Sequence, residues 1–138
     1  MQNTKKAIKQ KDSFGCGIAC VAFVNNVDYE TAKRNYFGVN QKAVTTGYLC
    51  KDMVMALQRA GKEYCYKYIK KPMALKEDTI VFIKRSKRYP DGHYLAKSKL
   101  GWMDPWINFD IKRPNVEEAQ AGFRKRLPGR PIYAIIRA

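Results

Sequence analysis

Histidine occurs once in this sequence, acidic residues number 12 against 27 lysines and arginines, and no long apolar run is present. Each shortage excludes something. One imidazole and four scattered cysteines, of which only Cys16 and Cys20 stand close together, make no metal-ligand set of the usual spacing, so neither a metal nor a cofactor is expected. No stretch approaches the roughly 18 consecutive apolar residues of a membrane-spanning helix, and no transmembrane segment is expected. The opening "MQNTKKAIKQKD" lacks the apolar core of a signal peptide, which points to a chain made without an export signal and to the cytoplasm. In that reducing setting Cys16, Cys20, Cys50 and Cys65 are expected as thiols. Repeats, low-complexity blocks and domain-scale linkers are missing too. Residues 1–138 therefore read as a single domain, long enough to bury its own core.

Positive charge is abundant. The net charge is +15, and the basic residues recur in clusters along the whole chain: "TKKAIKQK", "KYIKK", "KRSKRY", "KSK", "IKR" and "FRKR". Such clusters are by default a solvated face. Their total exceeds what solubility needs, which favours an acidic protein partner or nucleic acid. Tyr64, Tyr66 and Tyr68 alternate beside Lys67, Lys70 and Lys71, a pattern that suits base stacking and one buried strand face equally well.

The element order follows from periodicity. "CGIACVAFVNN" is apolar throughout and reads as a buried helix from Cys16. Asp28 caps a second helix over "YETAKRNYF", stopped by Gly38, and "TTGYLCKDMVMALQRAG" forms a third with a Thr cap and Gly61 as its stop. After Gly61 the pattern changes to strands: "EYCYKYIK", "TIVFIKRS", "GHYLAKSK", "GWMDPWINF" and "RPIYAIIRA". "VEEAQAGFRKR" reads as a small helix between the last two. Helices first and an antiparallel sheet afterwards make an α+β fold, with N-terminal helices packed on a C-terminal sheet.

Within this frame four residues suit thiol chemistry. Cys16 stands where a helix begins, and the unpaired N–H groups there favour a thiolate. Gly15 and Gly17 let the backbone turn and let a substrate carbonyl approach the sulfur. A nucleophile needs a base, and His93 in "PDGHYLAK" is the one imidazole, placed at a strand start. Asp104 in "WMDPW" lies one hairpin further on, where it can orient the second ring nitrogen. Gln10 precedes Cys16 by six residues (16 − 10) and can donate to a developing oxyanion. Cys20, one turn after Cys16, reads as core; Cys50 and Cys65 read as core or half-buried. Trp102 and Trp106 read as core aromatics, and Asp104 taken alone would read as a turn residue before Pro105.

"QKDSFGCGIAC" followed by "GHY" and "DPW" resembles the papain-like cysteine peptidases that remove double-glycine leaders from bacteriocins. The resemblance spans nearly the whole chain. It implies a papain-like fold, a peptide or protein substrate, Cys16 as nucleophile, His93 as base and acid, Asp104 as the orienter of His93 and Gln10 as oxyanion donor. The sequence departs from the family pattern at Gly15, where an acid is usual, and carries no transporter segment. Two other functions stay open beside peptidase or acyltransferase: an idle peptidase-like module that binds nucleic acid or an acidic protein, and a protease-type toxin or effector. No feature specifies an oligomeric state.

Overall fold

The computed structural model describes residues 5–138. Helix α1 (Cys16–Asn25) is buried on all sides from Gly17 to Val24, as an all-apolar helix must be. It ends at Asn26, whose left-handed backbone (φ 56°) closes the last turn. Asp28 accepts the Thr31 N–H at 2.7 Å and caps α2 (Tyr29–Ala32), which widens into a π-helical turn over Lys33–Phe37 and stops at Gly38. The expected second helix is thus present from Tyr29 to Phe37, its second half π-wound.

A short α3 (Lys42–Thr45) precedes α4 (Cys50–Arg59), so the third helix begins later than its Thr cap implied. The hydroxyls of Thr45 and Thr46 bond the carbonyls of Gln41 and Gly47 instead. The start of α4 is capped by Asp52, which accepts the Leu49 N–H at 2.9 Å.

Six strands follow: β1 (Tyr64–Tyr68), β2 (Ile80–Ile83), β3 (His93–Ser98), β4 (Gly101–Asp104), β5 (Gly122–Arg124) and β6 (Pro131–Arg137). They form one sheet in the order β1-β6-β2-β3-β4-β5, every neighbouring pair antiparallel. The small helix expected over "VEEAQAGFRKR" is corrected by the structure. Only Val116–Glu118 makes a 3₁₀ turn, while Gly122–Arg124 pairs with β4 as an edge strand and sets Phe123 edge-on to Phe23 of α1. Pairing and packing outweigh local helix propensity here.

One face of the sheet carries Ile80, Tyr94, Ala96, Met103 and Ile135 against Phe23, Met53 and Leu57 of the helices. Fully burying side chains of this kind contributes about 1.5–3 kcal/mol each. The opposite face holds Val81, Ile83, Leu95 and Trp102. No helix among the described residues is long and apolar enough to cross a membrane. The architecture is therefore α+β, helices packed on an antiparallel sheet.

Candidate active site

Cys16 is the first residue of α1, and no side chain caps that end. The first-turn N–H groups there are free of side-chain acceptors. Gly15 makes this junction possible: its N–H bonds the Asp12 carbonyl at 3.0 Å, and a Cβ at its position would collide with the Tyr29 hydroxyl. That hydroxyl donates to Asp12 Oδ2 at 2.7 Å, and Lys33 Nζ reaches the same oxygen at 2.9 Å. The nearest acid to Cys16 is thus engaged in holding the loop.

His93 opens β3 immediately after Gly92, whose φ of +73° turns the chain into the strand. In the β3–β4 hairpin Ala96 faces Met103, which sets Leu95 opposite Asp104 and puts His93 on the same face, one pleat away. The hairpin brings His93 Nε2 to 2.7 Å from Asp104 Oδ1. With Nε2 so engaged, Nδ1 is the ring nitrogen left free of Asp104.

The carboxylate of Asp104 is fully buried. Its Oδ1 also accepts the Trp106 N–H at 2.9 Å, and its Oδ2 accepts Arg124 Nε at 2.7 Å. Arg124 extends the network to the Ile107 carbonyl at 3.1 Å and the Tyr89 hydroxyl at 3.3 Å. Burial pushes the Asp104 carboxyl up, but the hydrogen bond and charge of His93 and the bond from Arg124 outweigh it and hold the group below its ordinary value. Burial likewise disfavours the His93 cation. The hydrogen bond and charge of Asp104, together with the influence of neighbouring Cys16, overcome that and raise His93 above its ordinary value.

Aromatic rings shield this pair. Tyr89 lies flat on the His93 ring, 5.0 Å between centroids at 11°, and Phe109 stacks on Tyr89. Trp106 stands edge-on to Phe109 and is buried, whereas Trp102 packs in the cluster of Val81, Ile83, Tyr89 and Leu95 with Lys97 over it.

Gln10, Cys16 and His93 line one open cleft of about 410 Å³, with Phe82, Tyr94 and Leu49 among its other walls. The Gln10 backbone N–H bonds the Pro105 carbonyl at 3.1 Å, which ties its strand of chain to the Asp-Pro turn. Its side-chain Nε2 donates to the carbonyls of Asp12 and Ser13, and its buried Oε1 has no partner among the described residues.

The other thiols sit differently. Burial, then the neighbouring Cys16 and Asp104, push the fully buried Cys20 thiol well up, so it is a packing residue. Burial also raises Cys50, to which the Tyr94 hydroxyl points at 3.8 Å. All four cysteines are free, and no group of three candidate ligands gathers among the described residues.

Of the three alternating tyrosines Tyr64 is buried, while Tyr66 and Tyr68 are exposed beside Tyr133. Register places Tyr68 opposite Tyr133, Tyr133 opposite Phe82, and Phe82 opposite Tyr94. Directly opposed residues share a face, so these four rings form a row across β1, β6, β2 and β3 that ends in the cleft.

Arg124 and Tyr89 are the site neighbours that the sequence does not single out. In "FRKR" nothing distinguishes Arg124 from surface cations. Tyr89, four residues before His93 (93 − 89), sits inside a basic cluster.

No protein-family model matches this chain, and no curated protein matches it in sequence. Its fold is similar to the crystal structure of the peptidase domain of Streptococcus ComA, a bi-functional ABC transporter involved in a quorum-sensing pathway, with 18% identity, 97% of each chain covered and a TM-score of 0.55. The chain thus has a fold that a peptidase domain also adopts.

Proposed function

We propose that this protein is a cysteine peptidase, with Cys16 as nucleophile, His93 as base and acid, and Asp104 as the group that orients His93. The observation that carries the reading is the Asp104–His93 bond at 2.7 Å, with His93 lining one open cleft beside a cysteine at the uncapped start of α1. The likeness to a peptidase domain supports it.

In this reading His93 Nδ1 takes the proton of Cys16 and the sulfur attacks the scissile carbonyl carbon. The C=O electron pair moves onto oxygen, which faces the N–H groups at the start of α1. Gln10 joins them when one of its amide N–H groups leaves a loop carbonyl for the substrate oxygen. Collapse of the intermediate breaks the C–N bond, His93 gives its proton to the departing amine, and a thioester remains on Cys16. Water then attacks the thioester while His93 takes its proton; the acid is released and the thiol is restored. The raised proton affinity of His93 suits the first transfer.

The substrate class that the sequence resemblance implies is a peptide with two glycines before the scissile bond. The row of Tyr94, Phe82, Tyr133 and Tyr68 gives such a peptide an apolar path away from Cys16. Incubation of a peptide library that includes Gly-Gly sequences, with mass spectrometry of the products and Cys16→Ala as the blank, tests the reading. Cleavage products and an acyl adduct on Cys16 that both vanish in Cys16→Ala are expected. A product profile identical in the two proteins would refute it.

A further inference from the structure

The β2–β3 connection, "KRSKRYPDG" over residues 84–92, lies beside the cleft and shields His93 with Tyr89. It also carries charge. Lys84, Arg85, Lys87 and Arg88 are all exposed, and Arg85 lines the same cleft as Cys16 and His93. Among the described residues, no carboxylate pairs with any of these four cations; the ion pairs fall elsewhere, on Asp12, Glu30, Asp52, Asp78 and Asp104. The loop's own acid is Asp91.

The cations are presented on a pinned turn. Lys84 N–H bonds the Arg130 carbonyl at 2.7 Å, Ser86 N–H and Gly92 N–H both bond the Tyr89 carbonyl at 3.0 Å, and Ser86 Oγ accepts the Tyr89 N–H at 3.1 Å. Arg130, exposed as well, adds a further positive charge next to Lys84. Elsewhere on the rim the charges cancel, because Lys42 is held by Asp52 at 3.2 Å. Arg85 and Asp91 both line the cleft, while Lys84, Lys87, Arg88 and Arg130 stand exposed outside its lining, so the loop bordering the cleft carries an excess of positive charge that an anion from outside would relieve.

We propose that this loop docks an acidic segment of the peptide substrate, carboxylate side chains lying a few residues from the scissile bond. The inference rests on the peptidase reading. A peptide is favoured over nucleic acid because the basic loop borders the cleft of Cys16, a nucleophile for acyl carbon. In addition, the ring nearest the cations, Tyr89, is buried between His93 and Phe109 and offers no free face to a base.

The test uses the full chain carrying Cys16→Ala and two fluorescein-labelled peptides, Glu-Glu-Glu-Glu-Ala-Gly-Gly-Ala and its four-glutamine counterpart. Anisotropy is read at low and at moderate salt. The glutamate peptide is expected to bind about tenfold tighter at low salt, with the advantage shrinking as salt screens it. Adding Arg85→Glu, Lys87→Glu and Arg88→Glu removes the advantage. Adding Lys76→Glu, Lys99→Glu and Lys112→Glu instead, the same change in net charge at exposed positions outside the cleft, leaves it. Equal binding of both peptides, or equal loss in both reversal variants, overturns the proposal. So does loop-dependent binding of a single-stranded RNA with no glutamate preference, which assigns the loop to nucleic acid. Iodoacetamide labelling of Cys16 in the unmutated nucleophile background reads the peptidase premise separately. A fast-reacting Cys16 without glutamate preference sinks this inference alone, whereas glutamate preference with an inert Cys16 sinks the peptidase reading and the peptide's standing as substrate.

Discussion

Arg124 Nε donates to Asp104 Oδ2 at 2.7 Å, so the carboxylate that faces His93 is held on its other side by a cation from the edge strand β5. Both lie away from bulk water, Asp104 completely. Removing the cation leaves a buried carboxylate oxygen without its partner, and breaking buried pairs in this way costs about 3–5 kcal/mol. Arg124→Met is expected to lower the urea midpoint markedly, and Arg124→Lys, which keeps the charge without the fork, to fall between it and wild type. An unchanged midpoint in Arg124→Met would show that the network does not hold the site.

His93 is the one histidine of the chain, so its ring proton gives a single NMR resonance that needs no assignment. Its titration is expected above the ordinary histidine value of about 6.5, and Asp104→Asn should bring it down. The sign for stability follows. A histidine whose value is raised by folding contributes stability that is fully present below the unfolded value and is lost as pH rises through the folded one. Asp104, held low, contributes stability that is present above the unfolded value of about 3.9 and is lost as pH falls through the folded one. Titration of the wild-type resonance at or below the ordinary value would break this electrostatic account.

Gly15 is required because the Tyr29 hydroxyl occupies the place of its Cβ. Overfilling such a junction costs about 1–3 kcal/mol, and Gly15→Ala is expected to destabilise by that amount. Tyr29→Phe removes the colliding oxygen along with its bond to Asp12. In a double-mutant cycle Tyr29→Phe should therefore cost less in the Gly15→Ala background than in wild type. Strict additivity would place the strain elsewhere.

The aromatic row predicts a split between binding and chemistry. Tyr133→Ala and Tyr68→Ala, remote from Cys16, should raise KM for a cleaved peptide severalfold while kcat holds, since they remove contacts made equally in ground and transition states. A fall in kcat with KM unchanged would assign those rings to something other than substrate binding.

The sequence makes the site residues legible for physical reasons. Cys16 between two glycines before an apolar run marks a helix start, His93 after a Pro-Asp-Gly turn marks a strand start, and a short hairpin brings Asp104 back to it. The strands β1 and β3 follow from alternating segments and β2 from a short buried run, and the apolar stretches at β4 and β6 mark the other two. Three features are hidden. β5 exists because Gly122–Arg124 finds β4 as a partner, which no local signal records. The start of α4 depends on Asp52 reaching back to Leu49 while the threonines serve other carbonyls. Arg124 and Tyr89 matter through contacts across 20 and 35 residues with Asp104 and with each other.

The central claim is that His93 activates Cys16. The direct measurement is the rate of iodoacetamide labelling of each cysteine near pH 6.5 in the folded protein, resolved by peptide mass spectrometry, in wild type and in His93→Ala. Cys16 is expected to react at least tenfold faster than Cys20, Cys50 and Cys65, and to lose that lead when His93 is removed. If Cys16 reacts no faster than Cys65, or keeps its rate without His93, the cleft holds the arrangement of a thiol hydrolase without its chemistry.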